Sequence, residues 1–176
     1  MSPSSLSLTL SLLLTAIPLL ATAQTCKPES IPASTPTSQF TDNGDGTVTN
    51  QKTGLQWQRC AQGQTWNGST CTGTGTYTWQ QALQRAVTIN GEGGYAGHND
   101  WRLPNSKELA SIVELQCDWP AINLAVFPAT ASAAFWSSSP SADSGNNAWF
   151  VDFSNGRDVW NNKSSSFSVR LVRSGQ

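Results

Sequence analysis

Charge, histidine and catalytic signatures are all scarce in this sequence. Only 12% of the 176 residues are charged, and ten Lys and Arg against eleven Asp and Glu leave a net charge of -1. Such a balance gives no strong electrostatic draw toward nucleic acid or an anionic membrane. His98 is the single histidine. With no second His or Cys at ligand spacing, it is expected to take a surface or hydrogen-bonding role rather than hold zinc. There is no Gly-x-Ser-x-Gly elbow, phosphate loop, His-Glu-x-x-His, dinucleotide fingerprint or Cys-x-x-Cys. A Ser-His-Asp triad would have to recruit His98, and nothing places a Ser and an acid beside it. The chain is therefore read as non-enzymatic, with no catalytic residues, no metal ligands and no cofactor.

Residues 1–23 form a Leu-, Ile- and Ala-rich run that ends in Ala21-Thr22-Ala23, a small-x-small cleavage site. Pro18 breaks the run, which is too short and too Ser-rich for a comfortable membrane span. It reads as a signal peptide cleaved near Gln24, making the chain secreted or periplasmic, with no membrane span after cleavage. No small-residue lipobox precedes Cys26, so a lipid anchor is not expected. Export turns Cys26, Cys60, Cys71 and Cys117 into a disulfide question. Cys60 and Cys71 bracket a segment rich in Gly, Thr, Ser and Asn and are expected to pair locally. Closing that loop is worth about 3 kcal/mol in the chain-entropy picture. Cys26 is left for Cys117.

Residues 24–39 read as an extended Pro/Ser/Thr-rich lead-in pinned only at Cys26, and residues 40–176 as one domain. Its hub is the stretch around Trp101, Arg102 and Leu103, held extended because Pro104 pushes the residue before it away from helix. Asn105 then looks like an N-cap, with Glu108 closing a capping box. The following helix is expected over Ser106 to Gln116, burying Leu109, Ile112 and Val113. An earlier helix starts at the Thr78/Gln81 capping box and ends by Gly91. Asp42-Asn43-Gly44-Asp45-Gly46 is a dense turn signal. Its acids miss the alternating positions of an EF-hand loop, so calcium is not supported by a ligand motif.

After Phe127-Pro128 the pattern turns to β. Phe135 to Ser139 is one strand, Ala148 to Phe153 a second, and Phe167, Val169, Leu171 and Arg173 alternate in a closing one. Asn155-Gly156 signals a hairpin. A two-residue turn there pairs Phe153 with Asp158 and Trp160 with Val151, leaving Asp152 and Asp158 on opposite faces, unsuited to glycosidase chemistry. A bulge would instead turn Trp160 outward beside Arg157, Asn161, Asn162 and Lys163. A flat ring with amides and two cations suits a ligand rim, so these five are the candidate binding residues. Most of the eight Trp are expected in the core.

Several motifs now occur in a telling order. They are Phe40 through Thr49; Thr53-Gly54-Leu55 with Trp57; Asp100 through Asn105 with Glu108 and Leu109; Phe135-Trp136-Ser137-Ser138-Ser139; Ala148 through Phe153; and Val169 through Arg173. Together they resemble the bacterial domain family named after the C-terminal domain of the Legionella collagen-like adhesin, Lcl. The resemblance implies an α+β, C-type-lectin-like fold, disulfide-stabilised, in which two helices flank a small twisted antiparallel sheet and late loops carry the binding surface. The named adhesin binds sulfated glycosaminoglycans and is trimeric, which implies binding rather than turnover. This chain has neither the collagen-like repeat nor a strongly basic balance, and a trimer rests on that analogy only. The expected function is a binding module for a glycan or a cell-surface protein. The alternatives are a relative of the formylglycine-generating oxidases, which need a reactive cysteine pair, and a structural envelope protein without a small ligand.

Overall fold

The computed structural model describes residues 23–175, so the leader read over residues 1–23 lies outside it except for Ala23. In chain order the described residues form β1 (Thr25–Cys26), β2 (Phe40–Asp42), β3 (Thr47–Asn50), β4 (Leu55–Gln58), β5 (Gln64–Trp66) and β6 (Cys71–Gly73). Helices α1 (Trp79–Gly91) and α2 (Ser106–Ala110) follow. The chain then adds β7 (Cys117–Asp118), β8 (Ala134–Pro140), β9 (Asn147–Asp152), β10 (Arg157–Asn162) and β11 (Val172–Ser174). The strands build four antiparallel sheets, ordered β11-β4-β3-β2, β10-β9-β8, β5-β6 and β1-β7.

This corrects the expected fold class. Strands take 33% of the chain and helices 14%, so the protein is mainly β. The C-type-lectin-like layout of two helices flanking one small twisted sheet is not what forms. One reason lies in α2, which stops at Ala110 instead of running to Gln116. Beyond it the backbone finds partners on another segment: Val113 bridges Ile122, and the Glu114 N–H donates to the Ala121 carbonyl. Leu109, Ile112 and Val113 are buried as expected, but only Leu109 does so from a helix. Helix α1 agrees with its reading at both ends, with the Thr78/Gln81 capping box fully formed.

Two hydrophobic clusters make the core. One gathers Trp57, Ile112, Phe127, Phe135, Val151 and Val172, and the other Trp101, Leu103, Trp136, Phe150, Val169 and Leu171. Neighbouring residues feed opposite clusters: Phe135 and Trp136, Phe150 and Val151, Leu171 and Val172. These central segments are therefore covered on both faces, and side-chain alternation along an extended backbone is what supplies two cores from one partition. Segment 167–173 keeps the expected alternation, although only its end, β11, is a regular strand.

Arg170 alternates into the same partition and is fully buried. Its guanidinium donates to the carbonyls of Gln58 at 2.8 Å and of Arg59, and to Thr130 Oγ1 at 2.7 Å. It also lies 4.8 Å from the centre of the Phe127 ring. Burial pushes its pKa down to about 9, which leaves it charged at neutral pH.

Both disulfides form as expected, Cys26–Cys117 and Cys60–Cys71. The lead-in is held at far more points than Cys26. Gln24 Nε2 donates to the carbonyls of Pro120 and Ile122, and Asn123 Nδ2 donates to Thr35 O. Buried Glu114 accepts from the N–H and hydroxyl groups of both Ser34 and Thr35. The tryptophans correct another expectation. Trp57, Trp101 and Trp136 are fully buried, whereas Trp119 and Trp160 are 52% and 45% exposed.

Candidate functional site

The hub motif acts as a bracket under the β10-β9-β8 sheet. Arg102 bridges Val172, and the Trp101 and Leu103 side chains on either side of it are buried. Pro104 O accepts from the Ser138 N–H at 2.7 Å, and the Ser106 N–H donates to Ser139 Oγ at 3.1 Å, which ties the start of α2 to β8. Asn105 caps α2 in a complete capping box. The Glu108 carboxylate accepts from the Asn105 N–H and takes both Arg102 nitrogens at 2.7 Å. That Arg102 fork holds the Glu108 carboxyl below the usual range; burial opposes it and the Asn105 N–H adds to it. A planar fork on a carboxylate fixes orientation as well as charge.

On this support sits the β9–β10 ribbon. Its register differs by two residues from the one expected, with Arg157 opposite Asp152 and Trp160 opposite Trp149. The cause is Phe153. Its ring is buried edge-on against Phe135, its N–H donates to Ala133 O, and its carbonyl accepts from Ala121 N–H. Phe153 is thus drawn off the ladder, and the connection becomes a four-residue loop, Phe153 to Gly156. The Asp152 carbonyl accepts from both the Asn155 and Gly156 N–H groups. Gly156 has φ 76° and packs so closely on Val113 that a Cβ there would stand 2.7 Å from Val113 Cγ1.

A two-residue shift keeps every side chain on its face but moves Trp160 from beside buried Val151 to beside half-buried Trp149. Trp160 thereby reaches solvent without the bulge that the sequence argument required. Its face also carries Asp158, opposite Val151, and Asn162, opposite Asn147. All six side chains of β10 are exposed.

Of the five expected binding residues, Trp160 and Asn162 therefore share one face. Arg157 and Asn161 lie on the other, with Val159 between them. Lys163 belongs to the loop that follows. Its Nζ donates to Gly145 O at 2.6 Å and stands 4.4 Å from the centre of the Trp79 ring. Asn161 and Asn162 spend their amide oxygens on this loop: Asn162 Oδ1 accepts from the Ser164 N–H and hydroxyl, and Asn161 Oδ1 from the Asn162 N–H. Trp149 and Trp79 escaped the sequence reading because each sat in a pattern that passes for core. The same holds for Trp119, whose N–H donates to Ser154 O at the ribbon's tip.

The Asp42–Gly46 turn uses its acids on itself. Asp42 Oδ1 accepts from the Gly44 N–H, Asp42 Oδ2 pairs with Arg59 at 2.5 Å, and Asp45 Oδ1 accepts from the Thr47 N–H and hydroxyl. Among the described residues no group of three or more His, Cys, Asp or Glu could hold a metal ion. No helix among them is long and apolar enough to cross a membrane. No curated protein matches the chain. Residues 46–173 match the family model of the Lcl C-terminal domain. That match takes in the hub, the ribbon and the closing segment, and the protein belongs to the Lcl C-terminal domain family.

Proposed function

We propose that this chain is an exported binding module that takes a glycan on the Trp149–Trp160 face of its β9–β10 ribbon and performs no turnover. Family membership makes it an adhesin-like domain. The observation that carries the glycan reading is the pairing of exposed Trp160 with half-buried Trp149, with Asn147 and Asn162 on one side and Asp158 on the other. Flat rings offer apolar area to the faces of a sugar, and flanking amides and a carboxylate meet its hydroxyls. Two disulfides agree with an oxidising, extracellular or periplasmic location. They also count against the oxidase alternative, since all four cysteines are bridged and no thiol is left as nucleophile.

A protein partner is the second reading, favoured by the ribbon's own edge. β10 has a neighbour on one side only, and such an edge offers unpaired backbone groups to an added strand. Glycan-array binding by the wild type and by Trp160→Ala separates the two. The glycan reading expects a loss of about tenfold or more, as for other exposed aromatic anchors. Undiminished binding by Trp160→Ala together with Trp149→Ala would refute the site. Capture of a surface protein with no glycan retained would favour the second reading, and native cross-linking to envelope components alone would favour a structural role.

A further inference from the structure

A cleft lies away from the ribbon, between the end of β4, the Cys60–Cys71 clasp and α1. Its volume is about 380 Å³, and no residue of β9 or β10 lines it. Arg85 is the only charged residue in its lining, which contains no Asp or Glu. Three side chains there form a directed chain of hydrogen bonds. Arg85 Nη2 donates to Gln62 Oε1 at 3.3 Å, and Gln62 Nε2 donates to Gln58 Oε1 at 2.5 Å.

A guanidinium can only donate, so the direction of this chain is set from its Arg85 end. Gln62 must turn its oxygen to Arg85 and its nitrogen to Gln58. Gln58 must then turn its oxygen to Gln62, which leaves its own Nε2 spare. Gln58 is 3% exposed, and its Nε2 is buried with no acceptor. Arg85 Nε is likewise buried with no acceptor. Six buried side-chain polar atoms among the described residues lack a partner, and two of them, Gln58 Nε2 and Arg85 Nε, belong to residues that line this one cleft.

Tyr95 adds a third donor. Its hydroxyl reaches only Gly46 O, at 3.4 Å, and burial first and the Asp45 charge second raise its pKa, so the phenol keeps its proton. We infer that this cleft binds a small molecule through a carboxylate that accepts hydrogen bonds from Arg85 and the Gln58 side-chain amide. Donors with one guanidinium and no acid in the lining itself suit a carboxylate, which accepts at both oxygens. The cleft's volume suits a sugar acid or a short peptide C-terminus. The inference is independent of the glycan reading for the ribbon.

The test uses the oxidised full chain and follows side-chain ¹⁵N–H signals during titration with glucuronate and with N-acetyl-alanyl-alanine. Glucuronamide and the dipeptide amide are the neutral controls. Saturable shifts of the Gln58 Nε2 and Arg85 Nε signals by one acid, with its amide about tenfold weaker or worse, would support the site. Which acid binds identifies the source of the carboxylate. No saturation by either acid, equal binding of the amides, or shifts confined to β10 would overturn it. Arg85→Met should weaken binding about tenfold or more, and unaltered binding by a folded Arg85→Met would also overturn it. If that variant fails to fold, the wild-type shift pattern alone decides.

Discussion

Replacing Arg170 tests the core more sharply than any other single change. No acid partners it in an ion pair among the described residues. Its charge is met by two backbone carbonyls, a threonine hydroxyl and an aromatic ring. Arg170→Met keeps much of the volume and removes the donors. It leaves the Gln58 and Arg59 carbonyls without them, at about 1–3 kcal/mol each. Removing a desolvated charge offsets part of that. The net expectation is a loss of about 3 kcal/mol, a large part of the 5–15 kcal/mol that stabilises a typical domain. Arg170→Lys should cost at least as much, because a compact, strongly hydrated ammonium cannot reproduce the planar fork. With disulfides intact, the urea midpoint of Arg170→Met should fall by about 1.5 M if m is about 2 kcal/mol/M. A variant as stable as the wild type would show that the carbonyls find other donors and that the buried guanidinium does not hold the partition.

Glu114 should make the lead-in's attachment acid-sensitive. Burial tends to raise its pKa, but N–H donation from Ser34, Gln116 and Thr35, with the Thr35 hydroxyl, outweighs that and lowers it. Its contribution is therefore complete above its ordinary value near 4.5 and is lost as pH falls through the lowered folded value. Glu114→Gln should cost about 1–3 kcal/mol at neutral pH, and its gap in urea midpoint from the wild type should close in acid; a gap unchanged with pH would refute this. Gly46 has φ 86°, and a Cβ there would strike the Tyr95 hydroxyl and touch the Trp66 ring, whereas Gly44, at φ 78°, has nothing within 4 Å. Gly46→Ala should thus destabilise the fold by about 2 kcal/mol against about 1 for Gly44→Ala, read as the larger fall in melting temperature, and equal falls would show that the turn gives way.

The ribbon illustrates where sequence reasoning holds and where it ends. Asn155-Gly156 did mark a reversal, because these residues tolerate the backbone a turn needs. The register did not follow from that signal. It depended on Phe153 leaving the ladder for Phe135, Ala121 and Ala133, partners between 18 and 32 residues away in the chain. Trp160 consequently met Trp149 rather than Val151, and the five residues expected to form one rim were divided between two faces and a loop.

Sequence alone was enough wherever the deciding contact spans a few residues. The capping boxes at Thr78/Gln81 and Asn105/Glu108, the extended bracket before Pro104 and the clasped Cys60–Cys71 loop are all short-range hydrogen-bond or covalent chemistry, legible from spacing. The motif order likewise identified the family. Only the tertiary structure decided that four small sheets form, that α2 stops at Ala110, that Arg170 is buried and that Gln58 and Arg85 are left with spare donors. Each of those outcomes sets local preference against partners far along the chain: Arg170 reaches back 111 residues to Arg59. Burial and the pairing of polar groups depend on what the folded neighbours leave unmet, which periodicity along the chain does not record.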